Sequence, residues 1–345
     1  MEDLTRSGFL KKAGATAVSF SAIGALAQHP VDAFAVGERS DLVSYSGPIG
    51  ATSYPATILS VPVLVAYNKG FFKKQKLDLK MTVMNSATDL ARAIHGRQLA
   101  FGVGGILTVM SGFAAGLNEI RLIGQMVGAQ YITYLVRPNS SVNTPGDLKG
   151  KKIAVLTNTK NFSYYLATLM LKTAGLTPAD VEFVFVQSFP AALAAVQNGV
   201  VDAACSFKPV STQEVNAGRA RLLWDTGPNV TGLPNDGVFT GATLAATHPQ
   251  VCLQFSTAIA QAQQWVRHNV NETATMWAKA TQLDPKVCLN TLQGTVANSM
   301  KFPLPIAGFN ADRKAGVALG TVPPDLSYYA FVDPRFGKSL AKYSK

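Results

Sequence analysis

The chain is short of cysteine, of charge and of long apolar runs, and each shortage closes off a class of protein. Its three cysteines, Cys205, Cys252 and Cys288, stand far apart, with none of the close Cys/Cys or Cys/His spacings that hold zinc. Buried thiols are therefore expected, with no structural metal and no cofactor. Only 15% of the residues are charged while 48% are hydrophobic, which excludes a disordered chain. The formal charge of +11 is spread thinly, without a long basic run or a nucleic-acid motif. It reads either as a solvated basic surface or as the surface of a protein that captures small anions, and no nucleic-acid partner is expected. Neither a G-x-S-x-G nucleophile motif nor a P-loop is present, so an enzyme is not expected.

What is present begins with an export signal. Residues 1–35 hold a basic start (Arg6, Lys11, Lys12), an apolar stretch from Ala13 to Ala27 and a small-x-small end at Ala33, Phe34, Ala35. Cleavage is expected after Ala35. The run Thr5 to Lys12 resembles a twin-arginine motif lacking one arginine, and no cysteine near the cleavage point offers a lipid anchor. The apolar stretch is too short and too interrupted to span a bilayer. The segment carries three basic and three acidic residues, so its removal leaves +11 unchanged. A periplasmic, or otherwise extracytoplasmic, soluble protein is the expectation.

The most informative stretch is Asp147–Thr159, DLKGKKIAVLTNT. Lys151 and Lys152 lead into the apolar Ile153 to Leu156, the pattern of a strand buried in a parallel sheet. A polar loop, Thr157 to Asn161, follows, and then a helical pattern with Leu166, Leu169, Met170 and Ala174 on one face, stopped by Gly175. A strand, a loop and a helix start in that order aim backbone amides and a positive helix end at whatever lies beyond the strand, which suits a carboxylate, sulfonate or phosphate.

The remaining chain alternates strand and helix in two runs. The first has strands at Leu42–Tyr45, Leu77–Val83, Leu99–Val103, Ile120–Val127 and Tyr131–Val136, with a long Gly/Pro loop through Pro48, Gly50 and Pro55. A helix opened by Ser86, with Asp89 three residues on as a capping box, closes at Gly96. The second run places strands at Ile153–Leu156, Val181–Val186 and Val200–Ala204, and helices at Phe162–Ala174 and Ala191–Asn198. Val238–Ala246 reads as a strand returning to the first lobe. Helices follow at Pro249–His268, Glu272–Ala280 and Pro285–Ala297, with a Pro/Gly-rich end from Phe302 packed over the first lobe. This rhythm implies two α/β lobes, each with a mainly parallel sheet flanked by helices.

Four segments together resemble the extracytoplasmic solute-binding proteins of ABC importers, in the family that takes up sulfonates, taurine, nitrate and thiamine precursors. Ala66 to Lys74 is similar to its A-x-x-x-G-F-F-K-K, Ala93 to Gly102 to its A-L-x-x-G-x-l-D-f-G, Asp147 to Val155 to its D-L-K-G-K-K-I-A-V, and Ala192 to Ala203 to its A-L-x-x-G-x-V-D-A. Ala100 and Lys208 depart from the pattern, standing where Asp and Glu are usual. The resemblance implies a type II periplasmic-binding-protein fold of two lobes joined by two crossover segments, placed near Thr133–Arg137 and Asp236–Thr240, with the ligand between the lobes. The expected division is 36–133 for the first part of lobe one, 134–237 for lobe two and 238–345 for the return to lobe one.

Ligands of open α/β sheets sit beyond the carboxyl ends of the strands. In lobe one this selects Ser53, Tyr54 and Thr57, then Ser86, Ala87 and Thr88, then Gly104 and Gly105. In lobe two it selects Asn158, Thr159, Lys160, Asn161 and Phe162, then Phe207 and Lys208. Ser86 and Thr159 serve equally as helix caps, Lys160 as a solvated charge, and Phe207 as core or as a stacking platform. The implied function is the substrate-binding component of an ABC import system, a monomer that delivers a small organic anion to a permease and its ATPase. A neutral heterocycle such as a thiamine-precursor pyrimidine is the alternative ligand. A pyrimidine-synthase-like enzyme of the same fold is the competing class, disfavoured by the lack of clustered cysteines and by the export signal.

Overall fold

The computed structural model describes residues 42–345, so the segment read as an export signal lies outside the described residues. There are two five-stranded sheets. The first holds β1 (Tyr45–Thr52), β2 (Leu77–Met84), β3 (Phe101–Gly105), β4 (Ile120–Val127) and β10 (Asp236–Gly241), in the order β2-β1-β3-β10-β4. The second holds β5 (Ile132–Val136), β6 (Lys152–Leu156), β7 (Glu182–Val186), β8 (Ala203–Phe207) and β9 (Arg221–Asp225), in the order β7-β6-β8-β5-β9. The two orders are the same pattern. In each sheet the fourth strand arrives from the other lobe and runs antiparallel to its neighbours, β10 against β3 and β4, β5 against β8 and β9. The remaining pairs are parallel, with helices between successive strands.

Two glycine-bearing segments form regular elements where the sequence suggests loops. The first strand is Tyr45–Thr52, not Leu42–Tyr45, and it runs straight through Pro48 and Gly50. A side chain at Gly50 would lie 2.5 Å from a Leu99 methyl and 2.8 Å from one of Leu90, so glycine is there to let the covering residues press onto the strand. The Pro48 carbonyl accepts from the Ala100 amide, which turns its missing N–H toward β3, one residue before the β1/β3 register starts at Ile49. The Pro/Gly-rich end likewise contains a 13-residue helix, Ile306–Ala318. Its Gly308 and Gly316 sit where a Cβ would come within 2.7 Å of Pro234 and 2.4 Å of Val322. The end does pack on lobe one, with Val332 bridging to Leu122 and the Asp333 amide donating to the Leu122 carbonyl.

Other boundaries move less. The strand expected at Val200–Ala204 is Ala203–Phe207, because Gly199 (φ +73°) turns the chain and leaves Val200 exposed. The helix Val210–Asn216 and strand β9 were not anticipated. The crossovers also shift. Thr133–Val136 and Asp236–Thr240 are ladder residues of β5 and β10, and the chain changes sheets just before them, between Val127 and Ile132 and between Asp225 and Asp236.

The core of lobe one is built on stacked rings: Phe101 lies 3.9 Å from Phe255 and Phe72 5.6 Å from Phe255, all three buried. Phe255 belongs to the 20-residue helix Pro249–His268, so the return segment closes the first lobe's core. Burial of such rings at roughly 25 cal/mol per Å² is the main stabilising term of the lobe.

Candidate functional site

The carboxyl ends of β1, β2 and β3 lie side by side, since Thr52 pairs with Met84 and Ala51 with Val103. In the second sheet, Leu156 pairs with Val186 and Phe207 with Ile132. The two crossovers tie these ends together. Asp236 opens β10 opposite Gly105, the hydroxyl of Tyr131 donates to Asp236 Oδ2 at 2.8 Å, and the Lys208 amide donates to the Tyr131 carbonyl at 2.9 Å. Gln130 Nε2 adds a bond to the Leu233 carbonyl at 2.8 Å. Gly105, Asp236, Tyr131 and Lys208 thus form one continuous path from the first sheet's strand ends to the second's.

The residues after β1 and β6, the strands second from the edge of their sheets, are held in a left-handed conformation, Ser53 at φ +53° and Thr157 at φ +53°. Such backbone is costly for non-glycine residues, above all β-branched Thr, and it recurs at Lys76, Arg97 and Gln282. From these points the loops proceed differently. Ser86 accepts from the Asp89 amide at 3.0 Å and donates to Asp89 Oδ2 at 2.7 Å, a completed cap. Thr57 is buried, its hydroxyl within reach of the Thr52 carbonyl and Ser60 Oγ, so it supports the loop from inside. Ser53 and Thr88 are exposed, and Tyr54 and Ala87 partly so. Gly104 is packed, since a Cβ there would lie 2.8 Å from Leu90. Gly105 is open, with only the Asn235 carbonyl at 4.0 Å. It precedes the helix Ile106–Ala114, whose first turn has no side-chain cap; the Ile106 amide donates to the Asn235 carbonyl at 3.0 Å, leaving the next amides of that turn for other acceptors.

In lobe two, Asn158, Thr159 and Lys160 are exposed on the loop after β6. Asn158 Oδ1 accepts from the Lys160 amide at 2.8 Å, and Asn161 caps the next helix by accepting from the Ser163 amide at 2.9 Å. Phe162 stacks on Tyr165, centroids 6.4 Å apart, and Phe207 meets Phe189 edge-on at 4.9 Å. Phe207 is the last residue of β8 and is 9% exposed, more core than platform. Lys208 is not a free cation: its Nζ lies 2.5 Å from Asp225 Oδ2.

Sequence reasoning missed a polar group at the crossovers: Gln130, Tyr131, Asn235, Asp236 and, from the helix Ile306–Ala318, Asp312. Burial raises the Asp236 carboxyl to about 7 despite the Tyr131 hydrogen bond, and burial together with Asp236 pushes that of Asp312 well above the usual range. Asp312 also raises the Tyr165 phenol, after the larger effect of burial. The signal in the sequence was faint: Asp236 is the one charge of Pro234–Gly241, while Asp312 is followed directly by Arg313 and Lys314. The cysteines are buried, with thiols pushed up by desolvation to about 12 at Cys205 and Cys252 and about 11 at Cys288, which leaves no thiolate nucleophile at neutral pH.

Comparison with known proteins fits this geometry. A Bacillus subtilis (strain 168) protein named for aliphatic sulfonate binding is 29% identical over 243 residues, covering 68% of this chain and 70% of its own. The periplasmic aliphatic sulphonate binding protein SsuA from Escherichia coli superposes with a TM-score of 0.72 at 18% identity, over 85% of this chain and 93% of its own. The desulfurization enzyme DSZB also shares the fold, with a TM-score of 0.69 at 16% identity over 87% of this chain and 99% of its own. The two-lobed periplasmic-binding-protein fold therefore stands, and it hosts both binding proteins and an enzyme. Residues 58–273, well over half of the 345, match the family described as NMT1/THI5 like. The chain belongs to the NMT1/THI5-like family.

Proposed function

We propose that this protein is the substrate-binding component of an ABC import system, working outside the cytoplasmic membrane. It captures a small organic anion, a sulfonate or carboxylate, between its lobes and delivers it to a permease. The observation that carries this is the convergence of both sheets' strand ends on two crossovers that are hydrogen-bonded to each other at Tyr131 and Asp236. Two short segments joining two rigid lobes are the geometry of hinge closure, in which ligand binding favours the closed state. The uncapped helix start after Gly105 and the polar loop Asn158–Asn161 supply amide and hydroxyl donors suited to an oxyanion. The sulfonate-binding relative supports the ligand class. Catalysis is disfavoured by the buried, protonated thiols.

A thermal-shift screen against alkyl and aryl sulfonates, carboxylates, nitrate and pyrimidine thiamine precursors tests the reading. A ligand of the folded state adds RT ln(1 + [L]/Kd), or ~2.7 kcal/mol at a hundredfold excess over Kd. A shift with one anion class that is lost in Thr159→Ala and Thr88→Ala supports the anion site. A shift with the neutral pyrimidines alone would remove the anion and leave solute capture in place.

A further inference from the structure

Resting on the reading of the inter-lobe cleft as a solute site, we infer that Asp236, Asp312 and Asn235 form a buried subsite at the crossovers that takes an amine or amidine N–H group of the ligand. Asp312 is 0% exposed and both its carboxylate oxygens lack a hydrogen-bond partner. Asn235 Nδ2 and Gln130 Oε1, on residues 7% and 1% exposed, are likewise unpartnered. Buried polar groups of folded proteins are almost always satisfied, so a fully buried carboxylate with neither oxygen bonded marks a position built for something that bonds to it.

The placement is geometric. Gly308 lies against Pro234, close enough that a Cβ would come within 2.7 Å of the proline ring, and Asp312 is one turn further along the same helix face. Asp312 therefore faces the second crossover, where Asp236 is held by Tyr131 at 2.8 Å. The charge of Asp312 raises the phenol of Tyr165 in lobe two, after the larger effect of burial. Among the described residues no Lys or Arg is ion-paired with either acid. The two unpartnered acceptor oxygens of Asp312 match a protonated amine or an amidine, which brings several N–H donors and one positive charge. Burial raises both carboxyls above the ordinary aspartate range, so binding of a cationic nitrogen is coupled to proton release.

Isothermal titration with propanesulfonate, aminopropanesulfonate of the same chain length, and benzamidine, each in two buffers of different protonation enthalpy, decides the matter. The subsite predicts that aminopropanesulfonate binds at least about tenfold more tightly than propanesulfonate, the scale of a hydrogen bond to a charged group. It further predicts proton release on binding, and loss of the preference in Asp312→Asn. Equal affinity for the two sulfonates, or a preference unchanged by Asp312→Asn, overturns the subsite while leaving anion capture standing. Benzamidine binding that Asp312→Asn abolishes, with neither sulfonate bound, keeps the subsite and removes the anion. Failure of both nitrogenous probes overturns it. If Asp312→Asn does not fold, Asp236→Asn, which keeps an acceptor for Tyr131, carries the same comparison.

Discussion

Asp236 makes the stability of this protein fall as pH rises. Its carboxyl is fully buried and titrates at about 7, against 3.8 for an unhindered aspartate. Below pH 3.8 the group is protonated in both folded and unfolded chains and contributes nothing to the pH dependence. Between 3.8 and about 7 the unfolded chain has lost the proton and the folded chain has kept it, so unfolding releases a proton and stability declines with pH. Above about 7 both states are ionised and the loss is complete. At 1.36 kcal/mol per pH unit, this interval is worth at most about 4 kcal/mol. Asp312, raised by burial and by Asp236, acts in the same direction, so the wild-type curve contains both acids. Replacing Asp236 by Asn keeps an oxygen for the Tyr131 hydroxyl and removes the titration. Urea midpoints measured across about pH 4 to pH 8 should show the wild type losing a few kcal/mol more than Asp236→Asn. Parallel curves for the two proteins would refute the reasoning, since Asp236 would then be titrating as an exposed acid.

Three further outcomes follow from packing and pairing. Gly124→Ala places a Cβ 2.4 Å from the Phe302 ring and should destabilise by about 1–3 kcal/mol in chemical denaturation, with partial recovery when Phe302→Leu is added. Trp277→Phe removes the indole N–H donated to the Pro55 carbonyl at 2.8 Å under the Ser53–Thr57 loop. It should lower stability by about 1–3 kcal/mol, with faster amide exchange in that loop as the local readout. Lys208→Met breaks the pair with Asp225 at 2.5 Å. Since both partners are about a fifth exposed and Asp225 keeps its bond from the Gly227 amide, a cost near 1 kcal/mol is expected, diminishing in high salt in a thermal melt.

Much of the architecture was legible because it rests on local pattern. The apolar run Ile153–Leu156, the cap Ser86/Asp89 and the alternation of strand and helix each depend on residues near in sequence, and each appears where the pattern places it. The loops at the strand ends were legible for the same reason, as polar residues following apolar runs. What misled was glycine. Gly50, Gly308 and Gly316 have the look of loop residues, yet they serve contacts with Leu99, Pro234 and Val322, partners that only the fold brings near. Phe207 and Lys208 carried a similar ambiguity, resolved by Phe189 and Asp225.

The sequence by itself determined the class of fold, the family and the polar loops at the strand ends, because periodicity, capping and motif spacing are properties of neighbouring residues. Tertiary structure alone decided which polar groups lie buried together. Tyr131 and Asp236 are 105 positions apart, and Asp312 comes from a helix 76 positions beyond Asp236, so nothing local marks them as one site. Their raised acidity arises from desolvation, a property of the surrounding packing that no stretch of sequence holds on its own.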